Sequence, residues 1–206
     1  MKLVLIADEQ QVLELGDDLN TNSSVVILRD ASQIPEADGV LDLLFENTTE
    51  RKKLLRNSSA KVIIVNSVLD SLSEIEPSFI RIAGWNTMLK RDLIEAAAVD
   101  KEKAPVVEKL FSLINKRVEW VSDIPGFISC RVIAQIINEA YYALQENVSS
   151  KDQIDIAMKL GTNYPYGPFE WAQKIGLKNI ISLLEKLSRI ESRYKPCTSI
   201  LEEERS

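Results

Sequence analysis

Lys2 to Ala7 reads KLVLIA, and Asp8 to Leu13, DEQQVL, follows at once. Four consecutive aliphatic residues with no polar alternation suit a strand covered on both faces, and the polar stretch behind them suits a helix. The same unit recurs outward from this point. Ser24 to Leu28 (SVVIL), Gly39 to Phe45 (GVLDLLF), Lys61 to Val65 (KVIIV) and Phe79 to Ala83 (FIRIA) read as strands, with Arg117 to Val121 (RVEWV) as a sixth candidate. Glu9 to Leu19 and Thr48 to Leu55 have helical composition, and Asn47 with Glu50 supplies the second helix with an N-terminal cap. Strands alternating with helices in this way predict a parallel α/β sheet.

From Pro125 onward the period changes from strand to helix. Ile128, Val132, Ile133, Ile136, Ile137, Ala140 and Leu144 trace one helical face, expected to be core or a dimer interface. Ser150 and Gln153 form a capping signature ahead of Ile154, Ala157 and Met158, and Gly161 is the expected stop. Pro168 and Gly176 bracket a third helix, and Ile180, Ile181, Leu184, Leu187 and Ile190 stripe a fourth. Between the second and third, NYPYGP (Asn163 to Pro168) reads as a rigid turn on which Tyr164 and Tyr166 pack. The tail, Glu202 to Ser206, is charged and reads as frayed. With the pattern breaking at Asp123 to Gly126, two domains are expected: α/β over residues 1–122, and all-α over residues 123–206.

Composition narrows the function classes. With 45% hydrophobic and 27% charged residues the chain is neither disordered nor fibrous. No stretch approaches the roughly 20 apolar residues of a membrane helix, and Leu3 to Ala7 is too short for a signal-peptide core, so a cytoplasmic location is expected. Residues 1–100 hold 10 Lys and Arg against 17 Asp and Glu, net −7, while the remainder balances at 15 against 14. Such an acidic half repels nucleic-acid backbones and anionic membranes, so neither is an expected partner. There is no histidine, and Cys130 and Cys197 are the only cysteines. Zinc-finger and Cys–His nucleophile chemistry are excluded together, and no metal site is expected.

Two long stretches carry a resemblance. DIPGFISCRVIAQIINEAYYAL (Asp123 to Leu144) and SSKDQIDIAMKLGTNYPYGPFEWAQKIGL (Ser149 to Leu177) closely resemble the C-terminal helical domain of the 3-hydroxyacyl-CoA dehydrogenases. ADGVLDLLFENTTERKKLL (Ala37 to Leu55) resembles the strand and helix before that family's active site, and RIAGWNTMLKRDLIE (Arg81 to Glu95) its catalytic strand and loop. The resemblance implies a shortened Rossmann-like parallel-sheet domain joined to a helical domain that also dimerises, giving a homodimer. It implies hydride transfer to NAD from a 3-hydroxyacyl thioester, with a histidine as base and a glutamate twelve residues later orienting it.

Laid on this chain, that glutamate falls at Glu95, a family asparagine at Asn86 and the histidine at Ala83. A family serine falls near Val68, and the asparagine after the Pro-Gly-Phe sequence falls at Cys130. A methyl group takes no proton, and Lys90 and Arg91 are cations at neutral pH. The dinucleotide turn is altered in the same direction: after the first strand there is no glycine before Gly16, and Asp8 and Glu9 bring negative charge to the place of a pyrophosphate. Asp30 stands where the family keeps its ribose-binding acid. Only seven residues separate Asp30 from Asp38, where the family has a helix and a further strand.

The plainer readings are kept beside these. Glu95 reads more simply as a helix-terminal or loop carboxylate, Asp30 as a satisfied strand-end acid, and Cys130 as a small buried hydrophobe in a helix's first turn. The leading expectation is a family member without efficient catalysis and with no bound cofactor, binding a small acyl-CoA-like ligand or a partner. The alternative is an active NAD-dependent 3-hydroxyacyl-CoA dehydrogenase of fatty-acid metabolism with a rearranged site.

Overall fold

The structure, a computed structural model, describes residues 1–16, 19 and 22–205. The chain forms two compact units, Met1–Phe127 and Ile128–Ser206.

In the first unit the described residues build one sheet from β1 (Leu3–Ile6), β2 (Val25–Leu28), β3 (Gly39–Asp42), β4 (Val62–Asn66), β5 (Ile80–Ile82), β6 (Leu93–Ala98) and β7 (Arg117–Trp120), side by side in the order 2-1-3-4-5-6-7. Neighbours run parallel except β5 and β6, which are antiparallel, Ile82 lying opposite Ala96. The apolar runs of β1, β3 and β4 are packed on both faces, as their lack of alternation requires, whereas in the edge strand β2 only Val25 is fully buried. Leu3 and Leu5 enter one core with Leu41, Ile64 and Ile82, under α1 (Glu9–Leu15) and α4 (Ala104–Ser112). Val4 and Ile6 enter the other with Val40 and Val65, under α2 (Thr49–Arg56) and α3 (Leu72–Ile75).

Several details differ from expectation. β6 reads LIEAAA, whose alanines carry no strand signal; it is a strand because β5 and β7 pair with it on both sides. The cap of α2 is Thr48, whose hydroxyl accepts the Arg51 N–H, while Asn47 turns its amide to Asp70. α1 ends at Leu15; of the helical stretch expected to Leu19, residues 17 and 18 lie outside the described residues. No element separates β2 from β3.

A buried cation ties the end of this unit to its sheet. Arg81, on β5, has no solvent exposure. Its guanidinium donates to Asp123, to the carbonyls of Ser67 (2.9 Å), Asp70 (3.1 Å) and Ile124 (2.6 Å), and lies 4.1 Å from the centre of the Phe127 ring. Burial pushes its pKa below its usual value, and the Asp123 carboxylate opposes the shift. Asp123 also takes the Leu72 N–H, so one carboxylate holds both β5 and the start of α3.

The second unit is helical: α5 (Ser129–Gln145), α6 (Lys151–Thr162), α7 (Pro168–Ile175), α8 (Leu177–Ser188) and α9 (Thr198–Arg205). α5 buries Ile133, Ala134, Ile137, Ala140 and Tyr141, so the buried stripe is narrower than the apolar one: Ile128 and Val132 are exposed. α6 runs past Gly161 and stops at Asn163, in the left-handed conformation (φ 57°). Tyr164 and Tyr166 pack on Trp171 across the following turn, as expected. The N-terminus of α7 is held by Asp155 of α6, which accepts the N–H groups of Phe169 (2.8 Å) and Glu170 (3.1 Å). A Cβ on Gly167 would lie 2.3 Å from that carboxylate, which explains the glycine before Pro168. The charged tail is ordered into α9, anchored by buried Ile200 and by a Lys151–Glu203 ion pair, though Ser206 lies outside the described residues.

Candidate active site at the strand ends

In an open parallel sheet, ligands gather beyond the carboxyl ends of the strands where the order changes direction, here between β1 and β3. Because β5 and β6 are antiparallel, the loop joining them and the beginning of β7 reach the same rim. This chain's own side chains cross it. Gln11 of α1 donates its amide to the Leu43 carbonyl, just past β3 (3.1 Å). Asn66, closing β4, donates to the same carbonyl (3.3 Å) and to that of Gly84 (3.2 Å), while its oxygen accepts the Gly84 N–H (3.0 Å). A Cβ at Gly84 would stand 2.8 Å from Asn66, so the loop after β5 approaches β4 only through glycine.

At the turn after β1, the side chain of Asp8 accepts the Gln11 N–H (2.7 Å), and that of Gln11 accepts the Asp8 N–H (3.0 Å). The reciprocal cap satisfies two of the amides at the start of α1 internally and places a carboxylate there. Arg29, after β2, donates to the Ala7 carbonyl (3.0 Å), so it is Arg29 and not Asp30 that reaches the end of β1. Asp30 is exposed and accepts the Ser32 N–H (2.7 Å); hydrogen bonds from Ser32 hold its carboxyl below the usual 3.8.

The positions laid out from sequence fall as follows. Ala83 follows β5, is buried, and donates its N–H to the Glu95 carbonyl (3.0 Å). The β5–β6 register continued by one residue sets 83 opposite 95, on the same side of the sheet. Glu95 is therefore a mid-strand residue of β6, half-buried, and not the helix-terminal or loop carboxylate expected. Asn86 is half-buried in the loop between them. Val68 is buried, its carbonyl accepting the Gly126 N–H (2.8 Å). Cys130 belongs to the second unit, buried in the first turn of α5.

Sequence reasoning missed Glu14 and Thr87. Glu14 of α1 is buried and accepts the Thr87 N–H at 2.7 Å, across 73 residues of chain. Thr87 has φ 78°, and its buried hydroxyl has no hydrogen-bond partner among the described residues. A β-branched residue held there costs about 1–3 kcal/mol, and an unmatched buried hydroxyl a further ~1–3 kcal/mol. The only local signal was a threonine in a turn. Among the described residues no group of His, Cys, Asp and Glu is arranged to hold a metal ion, and no helix is long and apolar enough to cross a membrane.

The helical unit carries a separate groove of about 750 Å³. Tyr141, Ile156, Phe169 and Leu177 give it an apolar lining; Lys151 and Lys159 stand on its rim, paired with Glu203 and Glu170. Burial, reinforced by Glu203, pushes the Tyr141 hydroxyl well above its usual value, so it stays protonated.

Residues 126–203 match the family profile of the 3-hydroxyacyl-CoA dehydrogenase C-terminal domain. Among curated proteins, the chain is 32% identical over 189 residues to a probable 3-hydroxybutyryl-CoA dehydrogenase of Bacillus subtilis, covering 84% of this chain and 66% of that protein. Over 109 residues it is 44% identical to the 3-hydroxyadipyl-CoA dehydrogenase of Escherichia coli, covering 51% of this chain and 23% of that protein. The chain thus spans at most about two thirds of the length of these relatives. Among solved structures, (S)-3-hydroxybutyryl-CoA dehydrogenase PaaH1 from Ralstonia eutropha superposes with a TM-score of 0.72 at 25% identity, over 87% of this chain and 69% of that one. FadB2 of Mycobacterium tuberculosis shares the fold at a TM-score of 0.76 and 13% identity, over 98% and 92% of the two chains.

Proposed function

Because the chain belongs to the 3-hydroxyacyl-CoA dehydrogenase family, we propose that it is a member in which hydride transfer is impaired. What it retains in this reading is the binding of an acyl-CoA-like ligand or a protein partner, as a homodimer joined through the helical unit. The observation that carries the proposal is the absence of any imidazole from the chain. The base position falls on Ala83, and loss of a positioned base costs about 10²- to 10⁴-fold in rate.

The residues after β1 do not fit a dinucleotide. The pyrophosphate would need free N–H groups and glycines there, whereas two of the amides are taken up by the Asp8–Gln11 cap and Arg29 closes on Ala7. A second negative charge about 5 Å from Asp8 costs roughly 3 kcal/mol at an effective dielectric near 20. We therefore assign no step to NAD. The cytoplasmic location included in this reading rests on sequence composition.

Titration with NADH, followed by fluorescence and calorimetry, tests the proposal. No saturable signal is expected up to millimolar cofactor, and no oxidation of NADH with acetoacetyl-CoA. Micromolar binding with turnover overturns it in favour of the active dehydrogenase with a rearranged site.

A further inference from the structure

We infer that Glu14 is a positioning residue: it latches the loop after β5 and so sets where Trp85 and Asn86 stand on the strand-end rim. The carboxylate lies in α1, 5% exposed, on a helix otherwise anchored by Val12 and Leu15 in the core. A buried carboxylate needs partners, and this one accepts the Thr87 N–H at 2.7 Å and, at 3.4 Å, the amide of Gln10 on its own helix. The bond to Thr87 joins a carboxyl oxygen to a backbone donor at short range.

The far end of that bond is where strain collects. Thr87 keeps a left-handed backbone and an unmatched buried hydroxyl. Rotating residue 87 into the ordinary helical or extended region would remove the first penalty, so something must hold it. The Met88 N–H closes the turn onto the Trp85 carbonyl (2.9 Å), and Glu14 is the side chain that holds the Thr87 amide within it. Asn86 directly precedes Thr87, and Trp85 precedes Asn86, so rotation at 87 displaces both. On the opposite side of Trp85, Gly84 is fixed by Asn66. Residues 85 and 86 thus lie between Gly84, held from β4, and Thr87, held from α1 and by the turn that Met88 closes on Trp85, and the bond from α1 is not required by the pairing of any strand.

This inference rests on residues 83–95 forming the candidate site, but not on whether NAD binds. The NADH titration can fail while the latch stands, and the reverse.

The test is hydrogen exchange, read by mass spectrometry on the full chain, for Glu14→Ala and Glu14→Gln. Losing the bond from the Thr87 amide speeds exchange of the amides at 84–89 by about tenfold or more in Glu14→Ala. In Glu14→Gln, where a neutral oxygen can still accept, the increase is smaller. Strand β4, residues 62–66, keeps its protection in both, and Trp85 becomes more open to acrylamide quenching. Unchanged exchange at 84–89, or an increase shared equally by β4, overturns the latch, the second outcome meaning that Glu14 supports the unit as a whole. If Glu14→Ala does not fold, Glu14→Gln decides by the same two readings.

Discussion

Arg81 and Asp123 show how much can hang on one pair of side chains. Arg81 is wholly buried, and its charge is matched by a carboxylate that also secures α3. Removing the partner leaves an uncompensated charge inside the unit. Asp123→Ala is therefore expected to lower stability by about 3–5 kcal/mol in urea unfolding, and Arg81→Met by less, because it removes the charge instead of stranding it. Neither role was legible in the sequence. Arg81 sat inside a stretch recognised as a strand, but its partner is 42 residues away, and Asp123 marked only a break in pattern. The same separation hid Glu14 from Thr87. What the sequence did expose at this scale was absence: no histidine in the chain, and no glycine between β1 and Gly16.

At the scale of elements, legibility followed the density of apolar residues. β1, β3 and β4 were visible because both faces are packed and most of their residues are β-branched or leucine, and the edge strand β2 because all four of its residues are. β6 was not visible, since Leu-Ile-Glu-Ala-Ala-Ala suits a helix as well as a strand and only its two neighbours decide. α4 did carry a signal: Pro105 near its start and Val107, Leu110 and Phe111 on its buried face. The α6–α7 junction was read correctly as a turn, yet the reason for its glycine required coordinates. Gly167→Ala brings a methyl group against Asp155, the acceptor for two amides of α7. A loss of about 1–3 kcal/mol is expected from that crowding, read as a lower thermal midpoint with the circular dichroism of the native state unchanged.

For the molecule as a whole, the proposed homodimer rests on the helical unit, whose apolar surface exceeds what its own core covers. Ile128 and Val132 on α5 and Ile156 and Leu160 on α6 are exposed. Sedimentation is expected to report about twice the 23.2 kDa chain. A monomer at high micromolar concentration removes that part of the proposal. The reversal between β5 and β6 has a further effect. It brings the β5–β6 loop and the beginning of β7 to the rim where the connections after β1, β2, β3 and β4 also start, while the packed interior lies beneath and away from it. Such a scaffold tolerates the exchange of one chemistry for another, because residues at the rim are replaced without disturbing the strands that carry them. An ancestral enzyme built this way can lose its reaction and still keep its shape.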